Sequence, residues 1–319
     1  MPKPRTICLI VCALLIGLAT RLEAAAPGEG FVSVEGGLRV HYRVIGHGKQ
    51  AVIIPLGHSW GTRADGLARG RTIVLYDPRG HGGSDEVKDP SLVGMDYELR
   101  DLEALRRHLS LDRVSLVGWS YVGGVVALYA AQHPEQVDAV VQVGAMPLRK
   151  GPHWDAYLKN LQARQDPAAD AKLELMQKNG LPERDPVAYC KAFYEAAVLT
   201  MLAKPDPTGI IPAGFCDLAN ERPTGHSFSV TGRLLEGLGD WDWTAQAASV
   251  RARVLTVQGA HDNVPLESSR EWVRTLPNAR LLVFDASGHL PFAEQPADFT
   301  RAVETFLQGG WPERAEVVR

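Results

Sequence analysis

A chain of 319 residues with 45% hydrophobic and 22% charged residues is long enough for one large core plus an inserted subdomain, and too apolar to stay disordered. Its net charge of -3 gives it no basic field with which to neutralise phosphates. That balance argues against a nucleic-acid partner; the partner expected for this chain is a small-molecule or short-peptide substrate.

The N-terminus differs from the rest. Lys3 and Arg5 precede an apolar run from Ile7 to Ala19, and Ala24, Ala25 and Ala26 then precede Pro27. This is the pattern of a secretory signal peptide, here residues 1–26, cut between Ala24 and Pro27. The run is short for a membrane span, so a secreted or periplasmic protein is expected, with an uncleaved anchor as the alternative. Val11 stands before Cys12, where a lipoprotein signal needs a small residue. Removal of Cys8 and Cys12 with the signal leaves Cys190 and Cys216 as an even pair in an oxidising compartment. A disulfide between them is expected, with two separate buried thiols as the alternative.

The mature chain opens with two β-rich runs, Phe31 to Val34 and Leu38 to Val44, separated by Gly36-Gly37 as in a hairpin. Ala51 to Pro55, Thr72 to Tyr76, Val114 to Val117 and Val137 to Val143 are apolar without alternation, which suits strands covered on both faces. Met95 to Leu109, with leucines at helical spacing, and Gly123 to Gln132 read as crossover helices. The alternation stops near Gly144 and resumes near Val254. Beyond it, Val254 to Gln258 and Leu281 to Phe284 read as strands, and Glu267 to Thr275 and Ala297 to Leu307 as helices. Between them, Trp154 to Arg164, Ala168 to Lys178 and Val187 to Leu202 read as helices separated by breaks at Gly180-Leu181-Pro182 and Pro205-Asp206-Pro207. The expected division is a parallel-sheet core over 27–149 and 251–309, a helical lid over 150–250 and a tail over 310–319.

The chemistry-bearing residues follow strands. Gly118-Trp119-Ser120-Tyr121-Val122-Gly123-Gly124 lies between a strand and an apolar helix and resembles a nucleophile elbow, a turn that exposes a serine hydroxyl. Val122 replaces the usual glycine two positions after the serine. Asp262, in Gly259-Ala260-His261-Asp262, and His289, in Gly288-His289-Leu290-Pro291, each follow a later strand. A serine hydroxyl needs a base to take its proton, and an imidazole needs a carboxylate to fix its tautomer. Ser120, His289 and Asp262 are therefore the candidate triad.

From about Phe31 to Leu307 the chain resembles the α/β-hydrolase superfamily, whose triad runs in the same order, Ser, Asp, His. Asp77-Pro78-Arg79-Gly80-His81-Gly82-Gly83-Ser84 is similar to the Asp-x-Arg-Gly-x-Gly-x-Ser loop of that family, where it is structural, so His81 is not expected to be catalytic. The resemblance implies a doubly wound, mostly parallel sheet with an inserted helical lid. It also implies two oxyanion donors, the backbone N–H groups of Tyr121 and His58, although Leu56-Gly57-His58-Ser59 departs from the family's His-Gly. Segments 143–149 and 216–221 look similar to those of proline-iminopeptidase-like hydrolases. Such enzymes must hold an ammonium, which makes Glu221, Asp217 and Glu195 candidate carboxylates. Glu221 and Trp119 are the tentative substrate contacts. An esterase with an apolar pocket is the competing reading, and a non-catalytic binding protein or an acyltransferase a more distant one. No His-x-x-x-His pair or Cys/His cluster suggests a metal, and the glycines at 46 and 48 lack the remainder of a nucleotide-binding fingerprint, so no cofactor is expected. The aromatics Trp154, Tyr157, Tyr189, Phe193, Tyr194, Trp241 and Trp243 either line the pocket or form the core of the lid.

Overall fold

The computed structural model describes residues 26–222 and 227–319. The expected signal peptide up to residue 25 lies outside the described residues. Strands β1 (Gly28–Ser33), β2 (Arg39–Gly46), β3 (Gln50–Pro55), β4 (Arg71–Tyr76), β5 (Val114–Trp119), β6 (Val137–Val143), β7 (Arg253–Gly259) and β8 (Ala279–Phe284) form one sheet in the order β1-β2-β4-β3-β5-β6-β7-β8. The opening hairpin is antiparallel and β2 joins β4 antiparallel, while every later pairing is parallel.

The central strands carry no polar alternation because both faces of the sheet are covered. Ile53, Val74, Leu116, Val140 and Val254 point to one side, against Leu99, Leu102 and Leu105 of α2 (Met95–His108), Val125 and Val126 of α3 (Tyr121–Gln132) and Trp272 of α10 (Leu266–Thr275). Their chain neighbours Val52, Ile54, Val117, Val141 and Leu255 point to the other side, against Phe299, Val303 and Phe306 of α12 (Pro296–Leu307). Residue-by-residue alternation thus supplies two apolar layers from one apolar run. Parallel strands joined by crossovers also end on the same edge of the sheet, which is where loops converge.

Between β6 and β7 the chain forms the lid: α4 (Pro152–Ala163), α5 (Pro167–Lys178), α6 (Leu181–Arg184), α7 (Pro186–Leu199), α8 (Ser227–Gly237) and α9 (Thr244–Ala248). Asp166 and Asp185 cap α5 and α7 by accepting from the backbone N–H groups of Ala168 and Ala188. The segment Gly180-Leu181-Pro182 is not a plain break. Gly180 takes a left-handed conformation and Pro182 sits in the first turn of α6, where a missing N–H costs nothing. Helix α8 contains two glycines and a β-branched Val-Thr pair, so its sequence carries little helical signal; Val230 and Leu234, one turn apart, bury its inner face. Cys190 and Cys216 are joined as a disulfide. Residues 310–319 do not trail away from the core: Leu281 and Glu316 exchange backbone hydrogen bonds, and the Trp311 ring lies under the guanidinium groups of Arg253 and Arg280.

Two short helices complete the framework around the site, α1 (Gly57–Trp60) after β3 and α11 (Pro291–Glu294) before α12.

Candidate active site

Ser120 ends the run of β5 and begins α3 with φ 60 and ψ -129, a conformation that costs a residue with a Cβ on the order of 1–3 kcal/mol. The turn is kept by its surroundings. The N–H of Ser120 donates to the carbonyl of Val143, and its own carbonyl accepts from Gly123 and Met146. A Cβ on Gly118 would stand 2.4 Å from the Val122 carbonyl, and one on Gly123 2.7 Å from the Ala145 Cβ, so these two glycines permit the crossing. The side chain of Val122, in the first turn of α3, is fully buried in the core.

His289 Nδ1 lies 2.8 and 3.0 Å from the two oxygens of Asp262. Asp262 Oδ1 also accepts from the N–H of Val264, which fixes the carboxylate in its loop. Trp119 bridges the two ends of the site, its indole N–H donating to the carbonyl of His289 at 2.8 Å while the next residue is Ser120. Gly144, at φ 51 after β6, makes room for the pair: a Cβ there would stand 2.8 Å from both Asp262 Oδ2 and His289 Nδ1. In the sequence this glycine is marked only by its place directly after a buried strand.

The His289 loop is also clamped to the lid. The N–H of His289 donates to the carbonyl of Met201, and Glu294 accepts from the backbone N–H groups of Gly288 and Ala203. Gly288 is pressed against residues 201–203 so closely that a Cβ would stand 2.1 Å from the Met201 carbonyl.

Ser120 opens onto a cavity of about 170 Å³. Ala197, Val198, Met201, Ile210, Ile211 and Phe215 supply an apolar side, whereas His58, His81, Glu221 and Thr231 form a polar one. Trp119 and Tyr194 are among the lining residues. Of the three acids singled out in the sequence, only Glu221 borders this cavity; Glu195 and Asp217 line a separate depression of the lid. Trp154, Trp241 and Trp243 form a ring cluster over the core, with Trp154 edge-on to Trp241 at 5.1 Å.

His58 departs from its expected role. Its backbone N–H donates to Asp77 Oδ1 at 2.9 Å, so that hydrogen is already engaged. Its imidazole sits between two carboxylates, Nδ1 2.9 Å from Asp77 Oδ1 and Nε2 3.2 Å from Glu221 Oε1. Burial favours the neutral ring, but the charges of Glu221 and Asp77 outweigh it and raise the His58 pKa to about 9. Glu221 and Asp77 are held below the usual carboxylate range despite their own burial, chiefly by the charge on His58. His81 differs: burial lowers its pKa, and its ring nitrogens face the Arg79 carbonyl and the Thr231 hydroxyl. Tyr121, as the first residue of α3, keeps a backbone N–H with no acceptor inside the helix.

The family model for the alpha/beta hydrolase fold matches residues 56–296, from the His58 turn to the start of α12. The chain is an alpha/beta hydrolase. Among curated relatives, this hydrolase is 25% identical to a proline iminopeptidase of Heyndrickxia coagulans, over 88% of this chain and 98% of that protein. It is 30% identical to a pimeloyl-[acyl-carrier protein] methyl ester esterase of Aromatoleum aromaticum, over 78% of this chain and 93% of that one. Among solved structures, the proline iminopeptidase of Mycobacterium smegmatis superposes with a TM-score of 0.65 at 21% identity, covering 88% of this chain and 98% of that one. At that identity the likeness speaks for the fold of the hydrolase and not for its substrate.

Proposed function

We propose that this hydrolase is a serine esterase that acts through an acyl-enzyme on a compact, largely apolar substrate. The observation that supports it best is the strained Ser120 turn on the wall of a cavity with a large apolar side, tied through Trp119 to the His289–Asp262 pair. In this reading His289 Nε2 takes the Ser120 proton as Oγ bonds to the acyl carbon, then returns it to the departing oxygen or nitrogen. Asp262 holds the imidazole Nδ1–H and offsets the charge of the protonated ring. Water then repeats the sequence on the acyl-Ser120 ester. Tyr121 N–H is the oxyanion donor that the fold leaves open.

The cavity matches an acyl group of about the size of benzene, which fills an engineered protein cavity of roughly 150 Å³. An aminopeptidase reading is favoured by one feature, the carboxylate of Glu221 on the cavity wall, and by relatives named proline iminopeptidases. The ester reading ranks above it because Glu221 is already engaged: Oε1 accepts from Gly82 N–H and His58, and Oε2 from the Tyr194 hydroxyl. Export is part of the proposal, carried by residues 1–26 and consistent with the Cys190–Cys216 disulfide.

A fluorophosphonate probe is expected to label Ser120 and to leave Ser120→Ala unmodified. Persistent labelling of that variant, or wild-type turnover by it, would defeat the assignment. Side-by-side assay of short-chain nitrophenyl esters and a proline amide ranks the two substrate readings. The ester reading expects the esters to be the better substrates, whereas amide cleavage that collapses selectively in Glu221→Gln would favour the peptidase.

A further inference from the structure

The structure assigns His58 to positioning the lid: its imidazole, held between Asp77 of the core and Glu221 of the lid, is the clasp that keeps residues 214–222 closed over Ser120. Asp77 follows β4 and is itself fixed on the core side, accepting from the backbone N–H groups of His58 and Gly83. Glu221 is 2% exposed and comes from the lid, where Tyr194 of α7 donates to its second oxygen. His58 joins the two by 2.9 and 3.2 Å contacts and packs against the ring of Phe215 at 5.4 Å. The neighbouring Asn220 reinforces the same junction by donating to the carbonyls of Gly82 and Ser84. A carboxylate–imidazolium–carboxylate line across a domain junction is strong only while the middle group carries both protons. His58, Phe215 and Glu221 all border the Ser120 cavity, so the clasp sets the shape of the pocket.

Among the described residues, the titratable groups around His58 come from every element packed there. They are Asp77, His81 on the same loop, Glu221 and Tyr194 from the lid, and His41 of β2, whose Nδ1 lies 3.3 Å from Asp77 Oδ2. His41 also lies between two carboxylates, Asp77 and, at 3.9 Å, Glu29 of β1, but both of these belong to the core, whereas His58 joins the core to the lid. With a clasped pKa of about 9 against an ordinary value of 6.5, the closed lid binds the proton more tightly than the open one. The contribution is therefore complete below the ordinary value and is lost as pH rises through about 9.

Hydrogen exchange on the full-length enzyme tests the clasp without any turnover. Between about pH 7 and pH 10, protection factors of residues 214–222, corrected for intrinsic exchange, are expected to fall roughly tenfold while those of β5 hold. His58→Gln is expected to show the low protection already at neutral pH, with no further alkaline fall. In ester hydrolysis, KM for His58→Gln is expected to rise about tenfold with a much smaller change in kcat. Unchanged wild-type protection up to pH 10, or wild-type protection in His58→Gln, overturns the role. So does a kcat loss of about a hundredfold at unaltered KM, which marks a transition-state contact instead. Should His58→Gln not fold, the wild-type pH series decides alone. The kinetic arm rests on the acyl-enzyme reading and the exchange arm does not, so failure of Ser120 labelling and failure of the clasp are told apart.

Discussion

The strand-end loops and the lid border the same cavity but are built differently. Ser120, Asp262 and His289 each sit within a residue to a few residues of a buried strand, and parallel pairing alone brings those strand ends to one edge. The lid reaches the cavity through residues scattered from Tyr194 to Thr231, held by a disulfide, a carboxylate and single hydrogen bonds. Position in the first region is inherited from the rigid sheet; in the second it depends on a few specific contacts. Changes at strand ends are therefore expected to abolish chemistry in a folded protein, and changes in the lid to alter stability and substrate selection first.

The largest expected effect is at the proposed triad. His289→Ala and Asp262→Asn are each expected to lower kcat by about 10⁴-fold, with far-ultraviolet circular dichroism unchanged. A loss below tenfold in either variant would remove the distinction between the two regions.

Opening the Cys190–Cys216 disulfide probes the lid in isolation. The bond closes a loop with a sequence separation of 26, for which loop-closure entropy gives about 3.5 kcal/mol. Thermal unfolding with and without reductant, or of the double Cys→Ser variant, is expected to show that loss as an early lid transition. Fluorophosphonate labelling of Ser120 is expected to persist below it. A single transition that shifts as a whole would show that lid and core unfold together.

Gly144→Ala sharpens the comparison at a position that binds nothing. Its Cβ would meet the Asp262–His289 pair at 2.8 Å, and the backbone is in the left-handed region. The variant is expected to lose about 10²-fold in kcat by displacing the imidazole, with a smaller change in KM.

The smallest effect concerns Glu98, a core group away from the cavity. Burial raises its pKa to about 8, with the charge of Asp101 adding and that of Arg79 opposing, and its Oε2 has no hydrogen-bond partner. The folded state thus holds the Glu98 proton more tightly than the unfolded chain. Its contribution is present below the ordinary value of 4.5 and is lost as pH rises through about 8. Urea unfolding is expected to find Glu98→Gln about 1–2 kcal/mol more stable than wild type near pH 9, with little difference near pH 5. A pH-independent difference would contradict the buried proton.

The sequence by itself determined the strands β3 to β8, because each is built on a short apolar run whose pattern depends only on neighbours along the chain. For the same reason it marked Ser120, Asp262 and His289, which stand one, three and five residues after such strands. The Cys190–Cys216 pairing was legible from arithmetic, once the two N-terminal cysteines are set aside. Only the tertiary structure decided the polar wall of the cavity. Glu221 meets His58 across 163 positions of sequence, and no local pattern records that distance or its direction. Nor does sequence show that Asp77 captures the backbone N–H of His58, since a backbone donor carries no residue-specific mark. The lid helix at Ser227–Gly237 was hidden for a related reason: its propensity is poor, and it is held by packing of Val230 and Leu234 that only the folded chain provides.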